Sequence, residues 1–265
     1  MAFLASDRPI RGSDLKTIAV ILEYCGGART DRLFASIVSQ NPGATVFVLD
    51  NASPVDRADC VTHRNPVNSY IGNGIRDCIR LAESAGAKYL FYCVNDAELH
   101  GRLDLAEFER VLEADEHIVQ LSCSMTPDSP QGRAYPWMAS RPGRTLRQVR
   151  HADLIACMLR LDFIRQFGGF PKSLGGWGYS RELAYMAYRM RKKVVVCDTF
   201  TVHHVPGGEM RLASGAVHNR GAEMHAIYRR RYPGEPVLDY TKWLPLPDEE
   251  AELEVGRLLS CPLRR

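Results

Sequence analysis

Two carboxylates follow one of the most apolar short segments of the chain. Residues 89–94 read YLFYCV, and Asn95, Asp96 and Glu98 come immediately after them. Because the segment is rich in aromatic residues and too short for an independent helix, it predicts a buried strand. In an open parallel sheet, ligands bind at the C-terminal ends of the strands. Asp96 and Glu98 could therefore hold Mg²⁺ or Mn²⁺, which would bind a pyrophosphate, or they could form an acidic turn that caps the next helix.

The sequence predicts a sheet that would position these side chains. Strands are expected at 17–22, 45–49, 60–63, 88–94, 118–123, 152–161 and 194–197, the last of them ending near 201–204, and helices at 32–40, 68–82, 105–114, 162–166, 180–192 and 219–231. The succession of strand, helix and strand with short links predicts right-handed βαβ units. Residues 124–148 are expected to form a long functional loop, and residues 248–259 a short acidic helix.

Composition limits the class of protein. The 265 residues fit one large α/β domain, or such a domain with an appendage, and the net charge of +3 is too balanced to favour nucleic acid as a partner. No apolar stretch reaches the roughly 18 residues of a membrane span, and no apolar segment follows Met1, so we expect neither a span nor a signal peptide. The cysteines form no C-x-x-C pair, which predicts reduced thiols and a cytoplasmic protein, with peripheral membrane contact left open.

Several landmarks within residues 17–205 occur in the order found in inverting glycosyltransferases of the GT-A fold, and the chain resembles family 2 of that class. The landmarks are Val48–Ser53 (VLDNAS), Asn73–Ile75 (NGI), Val94–Asp96 (VND), Gly169-Phe170, Gly176–Gly178 (GWG), Glu182-Leu183 and Val202–His204 (VHH). The resemblance implies an α/β fold, namely a GT-A (Rossmann-like) mixed, mostly parallel sheet flanked by helices, with a C-terminal helical extension. It divides the chain into a nucleotide-sugar-binding and catalytic domain over residues 1–205 and an extension over residues 206–265 near the acceptor site.

The same resemblance implies an activity. Such a protein moves a sugar from a nucleotide-sugar donor, with a UDP-sugar favoured, to an acceptor hydroxyl with inversion, assisted by Mn²⁺ or Mg²⁺. The acceptor is a saccharide, a lipid-linked molecule or a small molecule, and the sequence does not select among them. It does not indicate the oligomeric state either.

Four residues are candidate metal ligands in this interpretation: Asp96, Glu98, His203 and His204. The two histidines end the last predicted strand of the domain, a position from which this fold can bring a histidine to the metal or the phosphate. Adjacent residues of a strand point to opposite sides, so we expect at most one of the two histidines to serve.

Donor contacts are expected near the strand ends. The candidates are Leu22, Glu23, Tyr24, Asp50, Asn51, Asn73, Asn95, Asp96 and Trp177. Asp50 could accept a hydrogen bond from the uracil imide or a ribose hydroxyl, or be a turn aspartate. Tyr24 could stack on the base, or be a packed aromatic residue. Trp177 could form an apolar wall against a sugar face.

Inversion requires a base that accepts the proton of the acceptor hydroxyl. Where the family places a Glu-Asp pair after Trp-Gly, this chain has Tyr179-Ser180 and departs from the pattern. Glu182 is the first candidate for the base, or else a first-turn glutamate that stabilises a helix N-terminus. Asp153 is the second candidate, because it lies on an apolar stretch that borders the acceptor in this fold.

Two other classes of protein stay open. A nucleotidyltransferase shares the sheet and the metal site, but it usually has a Gly-rich basic loop after the first strand, which residues 23–29 (EYCGGAR) match only in part. A catalytically impaired nucleotide-sugar-binding protein would account for Tyr179-Ser180. A Rossmann dehydrogenase is disfavoured, because no G-x-G-x-x-G follows the first strand.

Overall fold

The computed structural model describes residues 16–143, 145–176, 178–205, 220–239 and 250–252. Its strands are β1 (Thr17–Glu23), β2 (Thr45–Asp50), β3 (His63–Arg64), β4 (Tyr89–Val94), β5 (Ala97–His100), β6 (Ile118–Met125), β7 (Leu146–Val149), β8 (Ala156–Arg160), β9 (Lys193–His204) and β10 (Glu250–Glu252). Its helices are α1 (Gly27–Gln40), α2 (Tyr70–Ser84), α3 (Leu105–Ala114), α4 (Pro130–Ala134), α5 (Leu161–Gln166), α6 (Tyr179–Arg189) and α7 (Arg220–Arg231). Across these described ranges, no helix is both long enough and apolar enough to cross a membrane.

One half of the sheet is parallel and contains the predicted βαβ units. In the order β3-β2-β1-β4, Leu22 of β1 lies beside Leu49 of β2 and Val94 of β4. Every residue of β4 is buried, as its apolar sequence predicts. The parallel register brings the C-terminal ends of β1, β2 and β4 to the same edge of the sheet.

The other half of the sheet is mixed. Strand β8 lies antiparallel between β4 and β6, β9 runs parallel to β6, and β7 and β10 continue the sheet antiparallel beyond β9. Strand β9 is 12 residues long, and its last four residues pair with β5, where Ala97 faces His204. The end of β9 therefore returns to the segment that follows β4.

Three local expectations differ from the structure. Residues 124–148 are not a plain loop, since they contain α4, a short 3₁₀ helix over Pro136–Met138 and the start of β7. Residues 250–252 are a strand rather than part of a helix over 248–259, because their backbone groups pair with those of β7; the rest of that segment lies outside the described residues. The strand expected at 152–161 is limited to Ala156–Arg160, and residues before it approach the sheet as a loop.

Two glycines allow the segment before α6 to press against α2. A Cβ atom on Gly72 would lie 2.7 Å from the backbone nitrogen of Gly176 and would also meet the carbonyl oxygen of Ser173. Gly176 has a φ of 67°, in the left-handed region that glycine tolerates best. This contact fixes where the chain enters α6, and so where the first residues of that helix lie.

We predict that Gly72→Ala lowers the free energy of unfolding by about 1–3 kcal/mol, because the added methyl group overpacks a backbone contact. Urea denaturation of purified protein measures the loss. Gly221→Ala is the matched control, since Gly221 is also close to a helix N-terminus but a Cβ there meets nothing within 4 Å. Equal stability of the Gly72→Ala protein and the parent would contradict the close contact.

Candidate active site

A cavity of about 480 Å³ opens at the edge of the sheet where β1 and β4 end. Its wall includes Tyr24 after β1, Asp96 after β4, Asp153 before β8, Ser180 in α6 and His204 at the end of β9. These residues are far apart in the sequence, and the sheet register brings them together. This is the edge at which open α/β sheets bind ligands.

Asp96 and His204 form a pair in the cavity wall. His204 Nε2 lies 3.2 Å from Asp96 Oδ1, and the two side chains are 13% and 17% exposed. The backbone holds them together, because Val205 N–H donates to the carbonyl oxygen of Asp96 at 2.9 Å. Two of the four predicted metal ligands therefore meet at the cavity.

Glu98 and His203 lie apart from that pair. They face each other across β5 and β9, and neither lines the cavity. His203 Nδ1 lies 2.6 Å from Thr126 Oγ1 and 3.7 Å from Asp128 Oδ1. Because successive residues of a strand point to opposite sides, turning His204 toward the cavity turns His203 away. Of the four candidates, Asp96 and His204 are the two that this geometry favours as ligands.

The surroundings of His204 fit a divalent cation. Its Nδ1 lies 2.5 Å from Gln131 Oε1, an acceptor, so Nδ1 carries a proton and donates it. Histidine ligands of metals commonly donate the second ring nitrogen in this way, which leaves Nε2 to coordinate. In the part of the chain that the structure describes, no three His, Cys, Asp or Glu side chains converge on one point. Asp96 and His204 would therefore supply two ligands, and phosphate or water oxygens the others.

Aromatic and amide side chains line the cavity near β1. Tyr24, Asn51, Asn68 and Tyr70 all contribute to the wall. Asn51 Nδ2 donates to Asn68 Oδ1 at 3.1 Å, and the same oxygen accepts from the backbone N–H of Tyr70 at 2.7 Å. Burial raises the pKa of the Tyr24 phenol, so the ring is neutral near pH 7. Two flat rings next to a fixed amide network suit a nucleobase, and the predicted residues Leu22 and Asn95 also line this cavity.

The backbone near this edge adopts conformations that are unusual for residues other than glycine. Cys25, Ala52 and Tyr70 have φ values of 50°, 61° and 56°. They follow β1, follow β2 and begin α2, respectively. Such left-handed residues cost free energy and persist only where the surrounding structure imposes them, which is common at binding sites.

Asp50 and Glu23 are fully buried and do not line the cavity. Arg64 Nη1 lies 2.5 Å from Asp50 Oδ2, and Ser53 N–H donates to Asp50 Oδ1 at 2.8 Å. Glu23 accepts from Gly26 N–H and from Ser53 Oγ, both at 3.0 Å. Burial, with a smaller contribution from the charge of Asp50, raises the pKa of Glu23 to about 7. Both carboxyl groups hold the turns after β1 and β2, which favours the turn-aspartate alternative for Asp50.

The two remaining predicted donor contacts are Asn73, which lies away from the cavity, and Trp177, which the structure does not describe. Asn73 is buried in α2, where its Oδ1 accepts from Arg76 Nη1 at 3.3 Å, and it does not line the cavity. Trp177 lies outside the described residues, while Gly176 and Gly178 on either side of it do line the cavity.

Asp153 is the carboxylate that faces the cavity from the side of β8. Its Oδ1 accepts from Ser180 Oγ at 3.2 Å and from the backbone N–H of Leu154 at 3.0 Å. Ser180 Oγ in turn lies 3.0 Å from Nε2 of the buried residue His151. Asp153 is half-buried, and among the described residues no lysine or arginine pairs with it.

Glu182 has a different environment. Its carboxylate is fully buried and is bonded to three side chains, with Arg231 Nε at 2.9 Å, Tyr232 OH at 2.7 Å and Tyr228 OH at 3.1 Å. Burial raises the pKa of Glu182, while its bond to Tyr232 and the charge of Arg231 act against that rise. Glu182 does not line the cavity. It attaches α7 and the residue after it to α6, and both of its oxygens are occupied by these bonds.

Several residues of the site escaped prediction from the sequence. Tyr70, Gln131 and His151 carry no motif, and each reaches the site through contacts between distant segments. Ser180 did carry a signal, because it occupies a position where the glycosyltransferases that the sequence resembles keep a carboxylate. That signal indicated a loss, whereas the structure places a hydroxyl group against a carboxylate supplied by another segment.

Comparison with known proteins identifies the fold. No protein-family model matches the chain, and no curated protein matches it. Solved structures do match, among them GalNAc-T7 with UDP, GalNAc and Mn²⁺, with a TM-score of 0.57 and 15% identity over 72% of this chain and 44% of that one. The mannosyltransferase PcManGT from Pyrobaculum calidifontis, in complex with GDP-Man and Mn²⁺, gives a TM-score of 0.54 and 16% identity over 77% and 61%. S. aureus TarS 1–349 in complex with UDP-GlcNAc gives a TM-score of 0.54 and 14% identity over 76% of this chain and 62% of that one.

The chain has a GT-A-like fold. The matched structures are glycosyltransferases, and the predicted α/β class, with a central sheet flanked by helices, is confirmed. This chain spans less than two thirds of the length of each of them, from 44% to 62%.

We predict that Glu182→Ala lowers the free energy of unfolding by roughly 3 kcal/mol, because it leaves Arg231 without its buried partner. Chemical denaturation measures the loss. Glu235→Ala is the matched control, since Glu235 also bonds one arginine and one tyrosine, Arg189 and Tyr185, but at the surface. An exposed pair contributes about 0–1 kcal/mol. Similar losses in the two variants would show that the Glu182 cluster is not a structural anchor.

Proposed function

We propose that the protein is a glycosyltransferase that moves a sugar from a nucleotide-sugar donor, with a UDP-sugar favoured, to an acceptor hydroxyl with inversion. The observation that carries this proposal is the cavity in which the Asp96–His204 pair and the Asp153 carboxylate occur together. The pair suits the phosphates of a donor, and the separate carboxylate suits the proton of an acceptor. The GT-A-like fold and the ligands named for its neighbours, UDP, GDP-Man and UDP-GlcNAc, support the same activity.

The donor would lie along the edge formed by β1 and β4. Tyr24 and Tyr70 offer faces for the base, and Asn51 and Asn68 form the polar wall beside them. Asn95 Nδ2 donates to the carbonyl oxygen of Tyr24 at 3.3 Å. Asn95 would therefore lie between the nucleobase and the phosphates of the donor. In this proposal Asp50 and Glu23 support the site from within the fold.

The diphosphate would lie against Asp96 and His204. These two side chains would hold Mn²⁺ or Mg²⁺, and the bound cation would neutralise the charge that develops on the leaving nucleoside diphosphate. Gln131 fixes the ring of His204, and Val205 N–H fixes the carbonyl of Asp96. The manganese named for GalNAc-T7 and PcManGT supports a divalent cation in this proposal.

Asp153 is the base that we propose, ahead of Glu182. A base must reach the proton that it accepts, directly or through one water molecule. Asp153 lines the cavity, whereas all the bonds of Glu182 are to Arg231 and two tyrosines outside it. The C-terminal residues 206–265 remain, in our proposal, an extension beside the acceptor, because Met224 and His225 of α7 line the same cavity.

The two other classes are less well supported. A nucleotidyltransferase would need basic side chains around the phosphates of a nucleoside triphosphate. The side chains that line the cavity after β1 and β4 are instead Tyr24, Asn95 and Asp96. Arg181 also lines the cavity, but it belongs to α6 and donates to the carbonyl oxygen of Leu238. A catalytically impaired binding protein would lack a carboxylate at the acceptor side, and Asp153 supplies one.

We predict that Asp96→Ala weakens binding of UDP in the presence of Mn²⁺ by at least about 10-fold, because one of two protein ligands is lost. Isothermal titration with UDP, with and without Mn²⁺, measures the change, and affinity without the metal should stay the same. Glu98→Ala is the matched control, since Glu98 is an exposed carboxylate two residues further on. If the Asp96→Ala protein binds UDP and Mn²⁺ as tightly as the parent, the metal assignment is wrong.

We predict that Asp153→Asn lowers turnover roughly 10²–10⁴-fold and leaves the affinity for UDP unchanged, because the base acts on the acceptor. Release of nucleoside diphosphate from a panel of UDP- and GDP-sugars, with water as the acceptor, measures turnover. Asp162→Asn is the control, since Asp162 is an exposed aspartate of α5 whose Oδ1 bonds only the next backbone N–H. Full turnover in the Asp153→Asn protein together with loss in a Glu182→Gln protein would move the base to α6.

A further inference from the structure

Three side chains form a hydrogen-bonded series that ends at the proposed base. Ser180 Oγ lies 3.0 Å from His151 Nε2 and 3.2 Å from Asp153 Oδ1. A serine hydroxyl has one proton, and an ionised carboxylate only accepts, so Ser180 donates to Asp153. The hydroxyl oxygen is then left to accept, and His151 must donate to it from Nε2–H. The donors and acceptors of both hydrogen bonds follow from the fact that the Ser180 hydroxyl has one proton.

His151 is held in the form that this series requires. Burial lowers its pKa to about 4, with the charge of Arg181 acting in the same direction and that of Asp153 opposing it, so the imidazole is neutral near pH 7. The ring packs edge-on to Tyr135, with centroids 5.2 Å apart. The carbonyl oxygen of His151 accepts from Trp137 Nε1 at 2.5 Å. Both the backbone and the ring are therefore fixed, as positioning of a third group requires.

The series leaves one oxygen of Asp153 open. Both hydrogen bonds to its carboxylate, from Ser180 and from Leu154 N–H at 3.0 Å, go to Oδ1. Within the described ranges of the chain, Oδ2 receives none. A carboxylate held through one oxygen presents the other in a fixed direction, which is the condition for accepting a proton from a bound hydroxyl.

We propose that His151 and Ser180 are positioning residues for Asp153, which they orient so that Oδ2 accepts the proton of the acceptor hydroxyl. This inference rests on the proposed function and gives Ser180, where the family has a carboxylate, a role in the same reaction. Ser180 orients the carboxylate of Asp153, which lies in the segment before β8. His151 sets the direction of the serine hydroxyl, and neither residue touches the reacting atoms.

A nucleophilic serine is a different arrangement of the same residue types. There, the histidine lies between serine and aspartate and accepts the serine proton. Here Ser180 lies between His151 and Asp153, and the histidine donates to it. A histidine that donates to the hydroxyl oxygen cannot remove its proton, so these three residues do not form a hydrolase triad.

Kinetics of the 265-residue chain test the proposal. With the nucleotide-sugar that is turned over best in the panel described above, Ser180→Ala should lower kcat about 10-fold to 100-fold, with KM for the donor unchanged. Ser180→Thr, which keeps the hydroxyl group, should restore kcat. Ser124→Ala should have no effect on kcat. Ser124 is the matched control, because its buried hydroxyl also makes two contacts, to the carbonyl oxygen of Phe200 and to Thr201 Oγ1, away from the cavity.

A double-mutant comparison separates positioning from general damage. In an Asp153→Asn background, Ser180→Ala should cause no further loss, because there is no longer a base to orient. If Ser180→Ala lowers kcat by the same factor with and without the Asp153 carboxylate, the proposal is overturned. A loss in Ser124→Ala equal to that in Ser180→Ala would overturn it as well.

A measurement without turnover keeps this inference distinct from the proposed function. In ¹⁵N-labelled protein, long-range proton–nitrogen spectra report the protonation of each histidine, and His151→Gln identifies the signals of His151. We expect a neutral Nε2–H imidazole from pH 6 to 8. A neutral Nδ1–H form or an imidazolium ion in this range would overturn the positioning pair even if the protein is active. If the spectra agree but no nucleotide-sugar is turned over, the proposed function fails, and with it the role of the pair in catalysis.

Discussion

The length of strand β9 is the constraint on which the site depends. Its first residues pair with β6 and β7 inside the sheet, and its last four residues pair with β5, the short strand that follows β4. Because Ala97 faces His204 in that pairing, the residue before it, Asp96, is brought against the histidine. A break in β9 would separate them. The Asp96–His204 contact is therefore a consequence of strand register, and the sheet that forms the core also sets the distance between the two side chains.

Three carboxylates that are buried in the fold pair with arginine, whereas those that line the cavity contact other groups. Asp50 pairs with Arg64, Asp198 pairs with Arg147 at 2.7 Å in the interior, and Glu182 pairs with Arg231. Each of these carboxylates is fully or almost fully buried, and a buried charge needs such a partner. Asp96 and Asp153 instead contact an imidazole or a hydroxyl group and line the cavity. Asp96 and Asp153 are thus carboxylates that line the cavity and have no arginine partner among the described residues, which is why we propose them for the chemistry.

The sequence predicted the parallel half of the sheet well because its information there is local. Apolar segments such as 17–22 and 89–94 are buried on both faces, and the polar residues after them meet at one edge. The site was harder to predict because its partners come from distant segments. Nothing near Glu182 in the sequence shows that Arg231 and two tyrosines of the C-terminal region enclose it, and nothing near Asp50 shows Arg64. Likewise, a short acidic segment at 250–252 has a helical composition, and the open edge of β7 makes it a strand.

The start of α6 departs from the sequence pattern of the glycosyltransferases that this chain resembles, and the carboxylate that its Ser180 contacts comes from another segment. Tyr179 and Ser180 cannot accept a proton near neutral pH, so the first turn of α6 has no base that faces the cavity. The loop before β8 faces the same cavity, and Asp153 on that loop is within hydrogen-bond distance of Ser180. A short side chain at position 180 is what makes this contact possible. A glutamate or aspartate there would place a second negative charge against Asp153, and two carboxylates in contact cannot both be ionised at little cost. The hydroxyl of Ser180 and the carboxylate of Asp153 thus fit together as a hydrogen-bonded pair, which a second ionised carboxylate at position 180 would not form.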